Sequence, residues 1–271
     1  MTPVIGALYI YPVKSAAGIE CERAELGPHG LLHDREWMLV DPAGRFLTQR
    51  EEARLALLGT AITADSLRLT LPSGEVLSLS LAHEGGQVEV QVWNSRCRAF
   101  DAGREAADLI SGWLGRPLRL VRFDHSLPRF SNKEWTAGRD VSTLFSDGYP
   151  LLVLSRASIA DLAARVGHDL PVERFRPNVL LDGVAAYGED AASGLRTGAV
   201  TLQLTKACTR CVITTIDQHS GERTGDEPLR TLKSYRFDKA LRGVAFGRNA
   251  YAIDGVGNTL TRGAPVSIIS P

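Results

Sequence analysis

Apolar and polar residues alternate along much of the first half of the chain, the period of a strand with one buried face. Leu67, Leu69 and Leu71 alternate, Pro72-Ser-Gly74 breaks the run, and Leu77, Leu79 and Leu81 resume it. Val88, Val90 and Val92 follow after Gly85-Gly86. Upstream, Val4 to Tyr11 is an apolar run stopped by Pro12 and predicts a first strand. Trp37 to Val40 and Arg45 to Thr48 flank Asp41-Pro-Ala-Gly44, whose Pro and Gly suit a type I turn, so a hairpin is expected there. Short period-two runs with Gly/Pro turns argue for an antiparallel barrel or sandwich. One helix interrupts it near Arg104 to Leu114, and Leu118 to Phe123 reads as another strand.

The alternation lapses between Asp124 and Asp147, a polar stretch that reads as a passage between two domains with function at its far end. Beyond it Leu151 to Leu154 is a strand. Ile159, Leu162, Ala163 and Val166 then keep helical spacing to about Gly167, with Ser155 or Ser158 as N-cap. Strands are expected at Val179 to Leu181, around Val200, Leu202 and Leu204, at Tyr251 to Ile253 and at Val266 to Ile269. The β-branched run Val212 to Ile216 should be a buried strand, and a helix should cover Leu229 to Tyr235 after Pro228. The sum is mainly β with some helices (α+β), in two parts, residues 1–123 and 124–271.

Composition narrows the function classes. At 271 residues the chain can bury one large core or two ordinary ones, and 44% hydrophobic with 23% charged residues is ordinary for a globular protein. The 31 basic and 31 acidic residues balance, so nothing global points to nucleic acid or a membrane surface, while a local basic pocket for a small anion stays open. Cys21 and Cys97 are isolated and fit no disulfide framework, which suggests a reducing compartment. Neither a signal peptide nor an apolar run near the ~18 residues of a membrane span is visible, so the expected location is cytoplasmic.

The chemistry concentrates in Lys206-Ala-Cys-Thr-Arg-Cys211. A thiolate is a soft ligand for zinc, copper, iron–sulfur clusters or other thiophilic metals, and Arg210 between the two cysteines would help keep a thiol ionised. Taken alone, a CxxC is more often a structural metal half-site or a thiol–disulfide pair. Zinc normally takes four ligands, though, and neither a second CxxC nor a His-x₃₋₅-His follows. A thioredoxin-like pair opens a helix, whereas β-branched residues come next here. The six histidines are scattered without ligand spacing, and the four tryptophans read as core or rim residues.

With Tyr11-Pro-Val-Lys-Ser15, His33-Asp-Arg35, Asp147-Gly-Tyr-Pro150, Arg174-Phe-Arg-Pro-Asn178 with Gly188-Glu-Asp190, Cys208 to Asp217 and Pro228 to Tyr235 in this order, the sequence resembles the MOSC family. It is similar in particular to members with an added N-terminal β-barrel domain, the bacterial YcbX-type proteins and the mitochondrial amidoxime-reducing component. Any one motif is weak; together they span nearly the whole chain. The resemblance implies a two-part β-barrel architecture, a MOSC N-terminal domain over 1–123 and a MOSC domain over 124–271. It further implies a molybdenum cofactor (Mo-molybdopterin) whose metal is held by Cys211, and reduction of N-hydroxylated small molecules by removal of oxygen there.

In that picture Lys14, Ser15, Arg35, Arg176 and Asn178, with Thr209 and Arg210, hold the cofactor's phosphate and pterin. Asp147 sits near the metal as a candidate proton donor. Cations, hydroxyls and an amide converging from several loops are what a phosphate-tailed cofactor needs. Taken singly, Lys14 and Arg35 would be surface charges, Asn178 a turn cap, Asp147 an Asx-turn before Gly148, and Cys208 a buried structural thiol.

A cysteine that some members carry after Arg-Pro-Asn is absent, so no third active-site thiol is expected. No ferredoxin-like domain follows the MOSC part, so electrons are expected from a separate flavin, iron–sulfur or haem protein. The alternatives are a non-catalytic sulfur- or cofactor-carrier and a structural zinc module.

Overall fold

The structure, a computed structural model, describes residues 2–270. It is β-rich with four α-helices among these residues, as the alternation predicts. A nine-stranded sheet dominates. Its order is Ile19–Cys21, Val4–Ile10, Val179–Asp182, Leu151–Ser155, Gly243–Asp254, Val200–Arg210, Gly194–Thr197 and Ser267–Ile269, with Phe237–Asp238 added to the long 243–254 strand. Only the 151–155 and 179–182 strands are parallel neighbours, joined by the helix Arg156–Val166. The Ser155 hydroxyl caps that helix by accepting from the Ser158 N–H at 3.1 Å, and Gly167 ends it at φ +91°.

The sheet is buried on both faces, its strands alternating between two cores except where a bulge shifts the register between Ile5 and Ala7. Leu8, Val179 and Leu181 enter one core, while Ala7, Tyr9 and Leu180 enter the other, beneath the 156–166 helix and the helix Leu229–Arg236. A second body carries a four-stranded sheet, Trp37–Val40, Arg119–Phe123, Ser95–Asp101 and Gln87–Val92, and a three-stranded sheet, Gly59–Ile62, Ser66–Thr70 and Val76–Ser80. Trp37 and Leu39 pack with Leu67, Leu69 and the helix Arg104–Leu114; Met38 and Val40 face Phe123 and Phe145 instead. Hydrogen bonds cross residue 123 freely. Val4–Ile10 pairs with Val179–Asp182, and Thr259–Thr261 pairs with Arg23–Gly27.

Three local expectations are corrected. Val212–Thr215 is a single 3₁₀ turn, not a strand. The Thr214 hydroxyl donates to the Cys211 carbonyl (3.0 Å) and the Thr215 hydroxyl to the Val212 carbonyl (2.8 Å), so local hydroxyl bonds outweigh the β preference of a branched run. The arm after Gly44 forms only isolated bridges, from Phe46 to Val40 and from Arg45 to Gln91. The short strand expected at 251–253 is the end of a twelve-residue strand that continues through Gly247 at φ +80°. No helix of the described residues is long and apolar enough to cross a membrane.

Candidate functional site

A cavity of about 150 Å³ opens where the two bodies meet. All nine residues singled out from the sequence line it: Lys14, Ser15, Arg35, Asp147, Arg176, Asn178, Thr209, Arg210 and Cys211. They arrive from five separate stretches, Asp147 from the loop before the 151–155 strand. Lys14 and Ser15 follow the 4–10 strand, Arg35 precedes the 37–40 strand, Arg176 and Asn178 lead into the 179–182 strand, and 209–211 end the 200–210 strand.

The backbone is strained where these side chains enter. Ser15, Arg35 and Arg176 have φ of +67°, +51° and +54°, a region costing a non-glycine residue roughly 1 kcal/mol or more. Arg35 and Arg176 both lie against the Tyr11 ring, 4.3 and 4.2 Å from its centroid. Arg35 is held by Asp34 at 2.5 Å, the Asn178 side-chain oxygen at 3.0 Å and the Arg176 carbonyl at 3.1 Å. Arg176 donates to the Ala16 carbonyl at 2.7 Å, yet its Nη2 is buried without a partner. Burial, then the neighbouring Arg35 charge, pushes the Arg176 guanidinium down to about 10, still a cation at neutral pH.

The Nε atoms of Arg174 and Arg210 are likewise buried and unpartnered. Arg174 is tied to Asp217 at 3.1 Å, and Arg210 to the Cys208 sulfur at 3.0 Å and to the Phe175 carbonyl. Buried cationic donors left unsatisfied by protein are a poor end state unless an anion completes them. The residues present therefore fit a phosphate-bearing group.

At the other edge, Lys14 is buried and donates to the Phe145 carbonyl (2.7 Å) and to Asp147 Oδ1 (2.5 Å). Burial pushes the Lys14 ammonium down and Asp147 opposes it. Arg50 donates to Asp147 Oδ2 at 3.1 Å and lines the cavity together with Cys211. Burial alone would raise the Asp147 carboxyl, but Lys14 and Arg50 hold it well below the usual carboxylate range. Asp147 is thus an anion clamped by two cations. Asn178 is almost wholly engaged: its amide donates to the Tyr9 carbonyl (3.1 Å), and its oxygen accepts from the Leu152 N–H (3.1 Å) and from Arg35. One N–H remains for a ligand.

Cys208, expected to be a buried structural thiol, is half-buried and lines the cavity beside Arg210. The long 200–210 strand carries it to the pocket rather than to a core. Sequence reasoning passed over Arg50, Arg174 and Arg129. Arg129 donates to the carbonyls of Leu144 and Ser146 (both 2.8 Å) and Asp147 (3.1 Å), bracing the loop that presents Asp147. Arg174 opens the Arg174-Phe-Arg-Pro-Asn178 motif; Arg50 and Arg129 have no local signal. Among the described residues no group of three or more His, Cys, Asp and Glu could hold a metal, so a structural zinc module lacks its ligand set.

Comparison with known proteins agrees with this architecture. Residues 2–117 match the MOSC N-terminal beta barrel domain and residues 140–266 the MOSC domain. The chain is 34% identical to mitochondrial amidoxime-reducing component 1 of Mus musculus, over 98% of this chain and 82% of that one. It is 35% identical to the Homo sapiens component 1, over 86% and 72% of the two chains. Against mitochondrial amidoxime reducing component 2 of Bos taurus it is 33% identical, again over 86% and 72%. The chain belongs to the MOSC family, in the group that joins the MOSC N-terminal domain to the MOSC domain and includes the amidoxime-reducing components.

Proposed function

We propose that this chain is a molybdenum-cofactor-dependent reductase of N-hydroxylated compounds such as amidoximes, supplied with electrons by a separate flavin, iron–sulfur or haem protein. The observation that carries the reading is a single cavity in which the Cys211 thiol shares a wall with buried, partly unpartnered arginines. When bound, the molybdenum–pterin group supplies the two-electron redox chemistry. The relatives' names support the substrate class, an amidoxime being a C=N–OH group whose reduction takes two electrons and two protons and yields an amidine and water.

In this reading Cys211 is the one protein thiolate on the metal. Arg176, Arg210 and Arg174 hold the cofactor's phosphate and pterin edge through the donors they leave open, with Ser15 and Thr209 adding hydroxyls. Arg35 and Asn178 act behind them. Arg35 has its guanidinium bonded on three sides by protein, and it holds the left-handed backbone at Arg176 by donating to that carbonyl. Asp147 serves as a charge clamp that fixes Lys14 and Arg50 at the mouth, rather than as a reservoir of a proton it has already lost.

The test is to express the protein in a host that makes the cofactor, measure bound molybdenum and pterin, and assay amidoxime reduction with an artificial donor. Bound cofactor with turnover supports the proposal. Bound cofactor or a cyanolysable persulfide with no turnover makes the chain a carrier, and stoichiometric zinc without pterin excludes both.

A further inference from the structure

One aromatic side chain at this mouth has no role in the scheme above. Trp93 is the first of two turn residues between the 87–92 and 95–101 strands, whose last pair is Val92 with Ser95. Its φ is +53°. Two-residue hairpin turns reserve positive φ for glycine, asparagine or aspartate, and a bulky aromatic there is an outlier that something else must hold.

Two of the holding contacts lead to the cavity. The indole N–H donates to Asp147 Oδ1 at 3.2 Å, the oxygen that also accepts from Lys14. The Arg50 guanidinium lies 4.8 Å from the ring centroid, and Phe46 meets the ring edge-on at 5.0 Å. Gln91 donates to the Trp93 carbonyl at 2.7 Å and steadies the turn. Asp147 and Arg50 both line the cavity that Cys211 also lines, so the ring stands one contact from its wall. Despite these restraints the residue is 43% exposed. The ring is fixed in direction beside Asp147, with part of its surface left open to solvent.

We propose that Trp93 is a specificity-determining residue: its fixed indole forms an aromatic wall that favours flat, conjugated N-hydroxylated substrates over small saturated ones. The inference rests on the reductase reading. The other side chains that meet Asp147 here, Lys14, Arg50 and Arg129, are cations, which make no distinction between a phenyl and a methyl substituent on a neutral amidoxime. A ring face does, through stacking and the apolar area it covers.

The experiment uses cofactor-loaded protein without an electron donor, so that nothing turns over, and titrates benzamidoxime and acetamidoxime by calorimetry. Trp93→Gly removes the ring and suits the left-handed turn; Trp93→Phe keeps a smaller ring. The expected result is a fall of about three- to tenfold in the benzamidoxime-to-acetamidoxime affinity ratio in Trp93→Gly, the size of one aromatic contact, with most of the ratio kept in Trp93→Phe. An unchanged ratio overturns the proposal, whether both affinities hold or both fall together, because a role confined to bracing Arg50 and Asp147 weakens the two ligands alike. Failure of the reductase reading looks different: the wild-type protein then neither binds nor, with a donor added, reduces either compound.

Discussion

Lys14 Nζ and Asp147 Oδ1 meet at 2.5 Å across 133 residues of chain. The contact is a product of sheet order. Lys14 leaves the 4–10 strand and Asp147 approaches the 151–155 strand, and these flank the 179–182 strand in one sheet. A buried ammonium thereby gains its counter-ion, and the same carboxylate fixes Arg50 beside Cys211.

Asp147→Asn should lower kcat/KM for amidoxime reduction by about tenfold or more, because removing one partner leaves Lys14 buried and uncompensated. The pH dependence carries the sign. Asp147's folded-state carboxyl lies below its ordinary value of 3.8, so the group stays charged from neutrality down through about pH 5. The variant's loss should therefore be uniform between about pH 6 and 9. An acid limb present in the wild type and missing in Asp147→Asn would instead show a titrating proton donor.

Arg176→Ala removes a buried cation whose Nη2 has no protein partner. Cofactor retention should weaken by about 10- to 100-fold, the worth of a charge-assisted phosphate contact, read as molybdenum and pterin per chain after gel filtration. Equal content in variant and wild type would remove Arg176 from the cofactor's contacts.

Asn178→Ala tests a structural share of the same wall. It leaves the Tyr9 carbonyl and the Leu152 N–H buried without their side-chain partner, so unfolding in urea should show a loss of about 2–4 kcal/mol. A cost under ~1 kcal/mol would mean that the amide acts mainly toward ligand.

Glu36 lies outside the cavity, buried among His125, His33 and Arg122. Burial alone would raise its carboxyl; bonds from the two histidines and from Arg122 hold it well below the ordinary 4.5. A depressed folded value contributes stability above the unfolded one, lost as pH falls through the folded one. Glu36→Gln should therefore cost about 2–3 kcal/mol above about pH 5.5 and progressively less in more acidic buffer. Denaturation curves at pH 7, 5 and 4 check this, and a pH-independent gap would contradict it.

What could be seen in the sequence is what is set locally. The alternating leucines at 67–71, the Ser155 cap and the bounds of the 104–114 helix depend on neighbours within a turn or two. The cavity's lining was visible through motifs, since Lys14, Arg176 and Cys211 lie in the Tyr11–Ser15, Arg174–Asn178 and Cys208–Asp217 runs. The 212–215 turn was hidden because two hydroxyl-to-carbonyl bonds decide it, and Gly243–Asp254 because Gly247 and Asn249 read as loop residues. Arg50, Arg129 and Trp93 acquire meaning only through Asp147, which lies 97, 18 and 54 residues away. No window along the chain contains those contacts.

The central claim is that Cys211 is the protein's one thiolate on a molybdenum centre that reduces N-hydroxylated substrates. Its most direct measurement is metal content and amidoxime turnover of Cys211→Ser beside wild type and Cys208→Ser, all purified from a cofactor-producing host. Wild type should carry near-stoichiometric molybdenum with pterin and turn over. Cys211→Ser should keep its fold and lose reduction by at least about a thousandfold, the loss of a ligand rather than of one hydrogen bond, whereas Cys208→Ser should stay far more active than Cys211→Ser. Unchanged turnover in Cys211→Ser, or wild-type protein loaded with zinc and free of molybdenum and pterin, would contradict it.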